Sequence, residues 1–138
     1  MAVTPEIETA IAEIQDQHPD ANVSFIADGD GGAFVTVDTV PLESQYSQAE
    51  TWIKFHITVN YPVADVYPHF IDPAVRIKDS TRPETTPLGE GTSLGNFQFA
   101  GAELRAIQVS RRSNQLDSAV DSAALKLAKV LYWLEART

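Results

Sequence analysis

Residues 52–59 alternate without a break. Ile53, Phe55, Ile57 and Val59 fall on one side, Trp52, Lys54, His56 and Thr58 fall on the other, and the run ends in Tyr61-Pro62. A period of two held this long predicts a strand with one face in a core. A slip of one residue would turn the whole apolar set toward water, so the register of this strand is fixed. Downstream come Tyr67-Pro68, then Pro73, then Val75 and Ile77. Proline fixes φ at about −65° and pushes the residue before it out of the α region. The pair therefore predicts a bend that delivers the chain into a fourth strand at 75–77.

The remaining elements follow from local signals. Thr4 stands as an N-cap before Pro5, Glu6 and Glu8 occupy the first turn where the helix dipole favours acids, and Ile7, Ile11 and Ile14 share one face. These features predict an amphipathic helix that ends before Pro19. Residues 23–27 and 33–38 read as a β-hairpin, because Asp28-Gly29-Asp30-Gly31-Gly32 supplies the positive φ angles of a tight turn. The same aspartates suggest calcium, but Thr39 stands where the closing acid of an EF-hand loop would be. Residues 78–95 carry Pro, Thr and Gly without apolar periodicity and are expected as a long loop. Phe97, Phe99 and 104–109 form a minor hairpin through Gly101. Asp117 or Ser118, with Asp121 completing a capping box, opens a C-terminal helix whose stripe is Ala124, Leu127, Leu131 and Leu134, widened by Val130 and Trp133. The expected architecture is a single α+β domain over 1–138, with helices covering one side of an antiparallel sheet.

Composition removes whole classes of function. The chain has no cysteine, which excludes a disulfide framework, a thiolate zinc site and a cysteine nucleophile. His18, His56 and His69 have no ligand spacing, so neither a metal nor a cofactor is expected. A formal net charge of −9 argues against nucleic acid and anionic membranes. With neither a signal peptide nor an apolar span, the expected location is the cytoplasm. The charge is also uneven. Residues 1–50 contain ten acids, Glu6, Glu8 and Glu13 among them, and no Lys or Arg. Such a half is either a solvated face or a surface that steers a basic partner.

The order of helix, strands, Tyr67-Pro68 turn with Pro73, long loop and closing helix resembles the ubiquitin-conjugating-enzyme superfamily. Tyr67, Pro68 and Pro73 are its structural signature. The resemblance implies a helix, a four-stranded antiparallel meander, a long loop with a minor hairpin, and a helix that crosses the sheet. Family members carry a ubiquitin-like protein as a thioester on a cysteine in that loop, preceded by a His-Pro-Asn element. Both are missing here, as are the helices that usually follow the crossing helix. The spacing of Tyr67, Pro68 and Pro73 is shared with the RWD domain, a noncatalytic relative. The segment 108–114 leading into 121–127 is similar to compact members from bacterial ubiquitin-like conjugation operons, some active in antiphage defence. The implied role is a noncatalytic subunit that binds an activating-enzyme-like protein, a ubiquitin-like protein, or both, within a multi-protein complex. Two alternatives stay open: a conjugating enzyme that uses a serine oxyester, or a cysteine where Ala100, Ala102 or Ala106 stands, and an RWD-like interaction scaffold.

Candidate residues divide accordingly. Ser93, Ser110 and Ser113 are the hydroxyls an oxyester would need, with His69 as an acid or base, although loop serines and a structural histidine are the plainer readings. Arg111 and Arg112 form the only pair of adjacent bases and suit a carboxylate of a partner, or else a solvated turn. Trp52, on the polar side of its strand, is a candidate interface anchor. Glu6, Glu8 and Glu13 would meet a basic partner, and Trp133 is expected in the core.

Overall fold

Thr4 caps helix α1 (Pro5–Gln17), its hydroxyl accepting from the Ile7 amide at 3.4 Å, and Ile7, Ala10, Ile11 and Ile14 are the buried face. The computed structural model describes residues 2–111 and 121–138. After α1 come β1 (Asn22–Ala27), β2 (Ala33–Pro41), β3 (Glu50–Ile57), β4 (His69–Ile71), β5 (Thr92–Phe99), β6 (Ala102–Val109) and helix α2 (Ala123–Glu135). The six strands form one sheet in the order β1-β2-β3-β4-β6-β5, and every pairing is antiparallel. The fold is α+β.

Both helices pack on one face of this sheet. Ala33, Val35 and Val37 of β2, Ile53, Phe55 and Ile57 of β3, Ile71 of β4, and Ile107 and Val109 of β6 meet α1 and the α2 residues Ala123, Leu127, Val130 and Leu134 in one core. The alternation in 52–59 thus sorts the faces as expected up to Ile57. Val59 lies beyond the strand and is exposed.

The turn between β1 and β2 depends on glycine. Gly29 and Gly31 have φ of +87° and +98°, and a Cβ at Gly32 would strike the Ile57 carbonyl and the Asp28 carboxylate. Asp28 is used internally: its Oδ1 accepts from the amides of Asp30 (2.7 Å) and Gly32 (2.9 Å).

Three expectations are corrected. The fourth strand is His69–Ile71, between Pro68 and Pro73, rather than 75–77. Val75 and Ile77 are buried, which explains their alternation, but Ile77 only bridges Tyr46, and the Arg76 carbonyl accepts from the Ser47 amide. The loop expected at 78–95 ends earlier, at β5, and the hairpin expected as minor is two eight-residue strands that extend the main sheet past β4. Ser122 caps α2, its hydroxyl accepting from the Leu125 amide at 3.1 Å, so Asp121 precedes the cap; Asp117 and Ser118 lie outside the described residues.

Candidate functional site

Among the described residues, no helix covers the other face of the sheet. Because β-strand side chains alternate, the residues that flank the core set, namely Ile26, Phe34, Thr36, Trp52, Lys54, His56 and Phe70, line this second face together with Phe97, Phe99 and Leu104 of the β5–β6 hairpin. Phe70, Phe99 and Ala106 form a separate apolar cluster there, with Phe34, Trp52, Phe97 and Leu104 packed around it.

A change of direction in the hairpin shapes the face. On β6, β4 pairs only with Ile107, Gln108 and Val109, so among the described residues no strand pairs on that side with the part of the hairpin nearer its tip. In a flat sheet, β2 and β5 would stand about 19 Å apart, four strand spacings. Yet the rings of Phe34 on β2 and Phe99 on β5 meet edge to face at 5.1 Å, and Phe70 meets Phe97 at the same distance. The tip therefore folds back over the open face. It turns at Ala100 and Gly101, whose φ values of +52° and +80° suit a two-residue hairpin loop. Between the tip and β1–β2 lies a groove of about 310 Å3, lined by Ile26, Phe34, Thr36, Lys54, Phe99 and Leu104 among others.

Polar groups on this face are held in place. His56 stacks on Phe34 at 4.2 Å, and its Nε2 lies 2.7 Å from Asp28 Oδ2. Burial pushes the Asp28 carboxyl up, but the hydrogen bonds from His56, Asp30 and Gly32 and the His56 charge outweigh it and leave the pKa below the usual value. Lys54 Nζ donates to Thr36 Oγ1 at 3.2 Å and lies over the rings of Trp52 (5.4 Å) and Phe99 (5.5 Å). Trp52 is thus on the open face, half-buried.

Beneath α2 is a second polar cluster that sequence reasoning missed. Lys126 Nζ donates to both carboxylate oxygens of Asp65 at 3.1 Å, with side-chain exposures of only 8% and 17%. Tyr61 Oη accepts from the Ala123 amide at 3.0 Å at the start of the helix, and burial raises the Tyr61 pKa. The available signal was Lys126 on the apolar stripe of α2, in step with Ala123, Val130 and Trp133. His69 faces the same interior from β4, against Phe55. It is 1% exposed, and neither ring nitrogen has a hydrogen-bond partner among the described residues. Burial, with a smaller push from Lys126, lowers its pKa to about 3.

Among the described residues, Ser93, Ser110 and His69 are not assembled into one site. Ser93 is exposed and pairs with Gln108 across the open face, opposite the side that buries His69, and Ser110 Oγ accepts from Gln108 at 2.9 Å. Ser113 lies outside the described residues, as does Arg112. Arg111 lies over the Trp133 ring at 5.2 Å, and Arg137 approaches that ring at 4.4 Å. Trp133 is 9% exposed, in the core. Glu6, Glu8 and Glu13 are exposed on α1. Among the described residues no His, Asp and Glu side chains gather as a metal-binding group, and no helix is long and apolar enough to cross a membrane.

No family model, curated protein or solved structure matches this chain.

Proposed function

We propose that this chain is a noncatalytic, ubiquitin-conjugating-like binding module of a ubiquitin-like conjugation pathway, and that it receives an activating-enzyme-like or ubiquitin-like protein on its open sheet face. One observation carries the reading. The sheet face opposite α1 and α2 is rich in aromatic side chains, it is grooved by the folded hairpin tip, and it combines Trp52 with a Lys54 already fixed over two rings. Aromatic anchors with a few positioned polar groups are what concentrates binding energy at protein interfaces. The plan of α1, four consecutive antiparallel strands with Tyr67-Pro68 before the fourth, and a helix returning over the same face as α1 supports the superfamily reading. The β5–β6 hairpin is a departure from that plan. A serine enzyme finds less support, since among the described residues Ser110 Oγ is engaged by the Gln108 amide and Ser93 pairs with Gln108, on the face opposite His69.

The test is reconstitution with an activating-enzyme-like protein and a ubiquitin-like protein of the same source, should its gene neighbours encode them. In the presence of ATP, a stable complex without a covalent adduct is expected, and Trp52→Ala should weaken it by more than about 1 kcal/mol when both proteins are compared under conditions where each is fully folded. An adduct cleaved by hydroxide but not by thiol would replace this reading with serine oxyester transfer. Absence of any complex would leave the RWD-like scaffold, with no link to conjugation.

A further inference from the structure

We propose that the outer edge of β1 is a second docking site, where an extended apolar segment of a partner protein, flanked by Lys or Arg, joins the sheet as an added strand. The strand order leaves β1 at an edge. Two hydrogen bonds fix which of its main-chain groups point outward. The Asp28 amide donates inward to the Gly32 carbonyl, whereas the Val23 amide donates outward to Gln15 Oε1. Antiparallel pairing alternates along a strand, so even-numbered residues bond to β2, while Val23, Phe25 and Ala27 direct N–H and C=O away from the sheet. Gln15, whose Nε2 also donates to the Ala21 carbonyl at 2.9 Å, fills the first rung alone. Among the described residues, nothing outside the sheet bonds to the Val23 carbonyl, to either main-chain group of Phe25 or to the Ala27 amide, and these are offered to an incoming strand.

Edges of this kind are normally blunted by Lys, Pro, a bulge or an inward charge. β1 reads Asn-Val-Ser-Phe-Ile-Ala, and its register with β2 is unbroken. Its two large side chains are exposed on opposite faces, Phe25 by 48% and Ile26 by 62%. A strand laid alongside would cover both, and would thereby gain main-chain hydrogen bonds and apolar contact together.

Charge selects the occupant. In a two-fold antiparallel pair of β1 strands the start of one copy lies beside the end of the other, which brings Asp20, just before the strand, near Asp28 and Asp30, just after it, at both ends. Residues 1–50 contain no Lys or Arg to relieve this, and Asp38 lies opposite Asn22 in the β1–β2 ladder. A second copy is repelled by the same acids that attract a segment with basic ends.

This inference deepens the binding-module reading but depends on main-chain groups of β1 instead of aromatic rings, so the two fail separately. The probe is a short synthetic peptide of alternating valine and threonine with lysine pairs at both ends, compared with its glutamate-flanked counterpart. With the wild-type protein, the lysine peptide should slow amide exchange at Phe25 and Ala27 by about tenfold or more, and its affinity should fall as salt is added, while the glutamate peptide should do neither. Phe25→Pro removes an outward donor and no bond to β2, so it should lower affinity about tenfold without changing the cooperative unfolding of the domain. Should that variant misfold, Ala27→Pro, which removes the neighbouring outward donor at an exposed position, serves instead, with the same loss expected. Equal binding of both peptides, absence of binding, or protection confined to the open face would overturn the proposal. A wild-type dimer that dissociates on Phe25→Pro would also overturn it, by making a second copy the occupant. Loss of the conjugation partners with intact peptide docking would sink only the earlier reading.

Discussion

His69 enters the folded chain as a neutral ring, since burial under α2, assisted by the Lys126 charge, lowers its pKa from 6.5 to about 3. Between those values the unfolded chain binds a proton that the native chain does not. Stability is therefore complete above pH 6.5 and is lost as pH falls toward 3, with a limiting slope of about 1.4 kcal/mol per pH unit. His69→Leu should remove this contribution, so denaturant midpoints measured from pH 7 down to pH 4.5 should fall less steeply than for the natural chain. Parallel curves would show that the ring takes up its proton in the native state. Asp28 acts in a lower window. Its depressed pKa stabilises above the ordinary carboxyl value of 3.8 and is lost only in stronger acid, so the two effects separate in pH.

At the scale of elements, α2 is tied down by polar contacts at both ends as well as by its apolar stripe. Gln45 Nε2 donates to the carbonyls of Glu135 (2.9 Å) and Arg137 (2.8 Å), and buried Tyr46 Oη donates to the Leu134 carbonyl at 2.6 Å. The other end is held by Tyr61 and by the Asp65–Lys126 pair. An ion pair this buried costs most when half of it is removed. Asp65→Asn, which deprives Lys126 of that carboxylate, should destabilise by about 3–5 kcal/mol. The double change Asp65→Leu with Lys126→Met should cost clearly less, as read from urea unfolding of the single and double variants. Additive losses would mean that the pair contributes through something other than charge compensation.

On the scale of the whole molecule, the sheet has two apolar clusters, one on each face. The larger lies beneath the helices, and the smaller is closed by the hairpin tip where Phe99 reaches Phe34 and Phe70. Phe99→Ala should cost about 3 kcal/mol, the lower end for loss of a packed phenylalanine. Its effect should be local. Amide exchange should accelerate over 97–106 and remain slow over 53–57, where β3 is buried in the main core. Uniform acceleration would show that the tip and the core open together.

Several features were legible in the residues alone, and each is a matter of local geometry. The isoleucines and Thr4 of α1, the glycines that turn β1 into β2 and the alternation of 52–57 appear in the structure as read, because propensity, capping and period are set by near neighbours. The Tyr67-Pro68 turn into a strand was legible too, but its place was not. His69, Phe70 and Ile71 lack alternation because both of their faces are buried, Phe70 in the smaller cluster and the others in the larger. Val75 and Ile77 imitate a strand while packing on Tyr46. The candidate face was half legible: Trp52, Lys54 and His56 were placed on the polar side of β3. What makes it a grooved aromatic surface is the arrival of Phe97 and Phe99 from residues far along the chain. That contact depends on a three-residue β4 too short to hold the hairpin flat, so only the tertiary structure could decide it, as it decided the burial of Lys126 against Asp65.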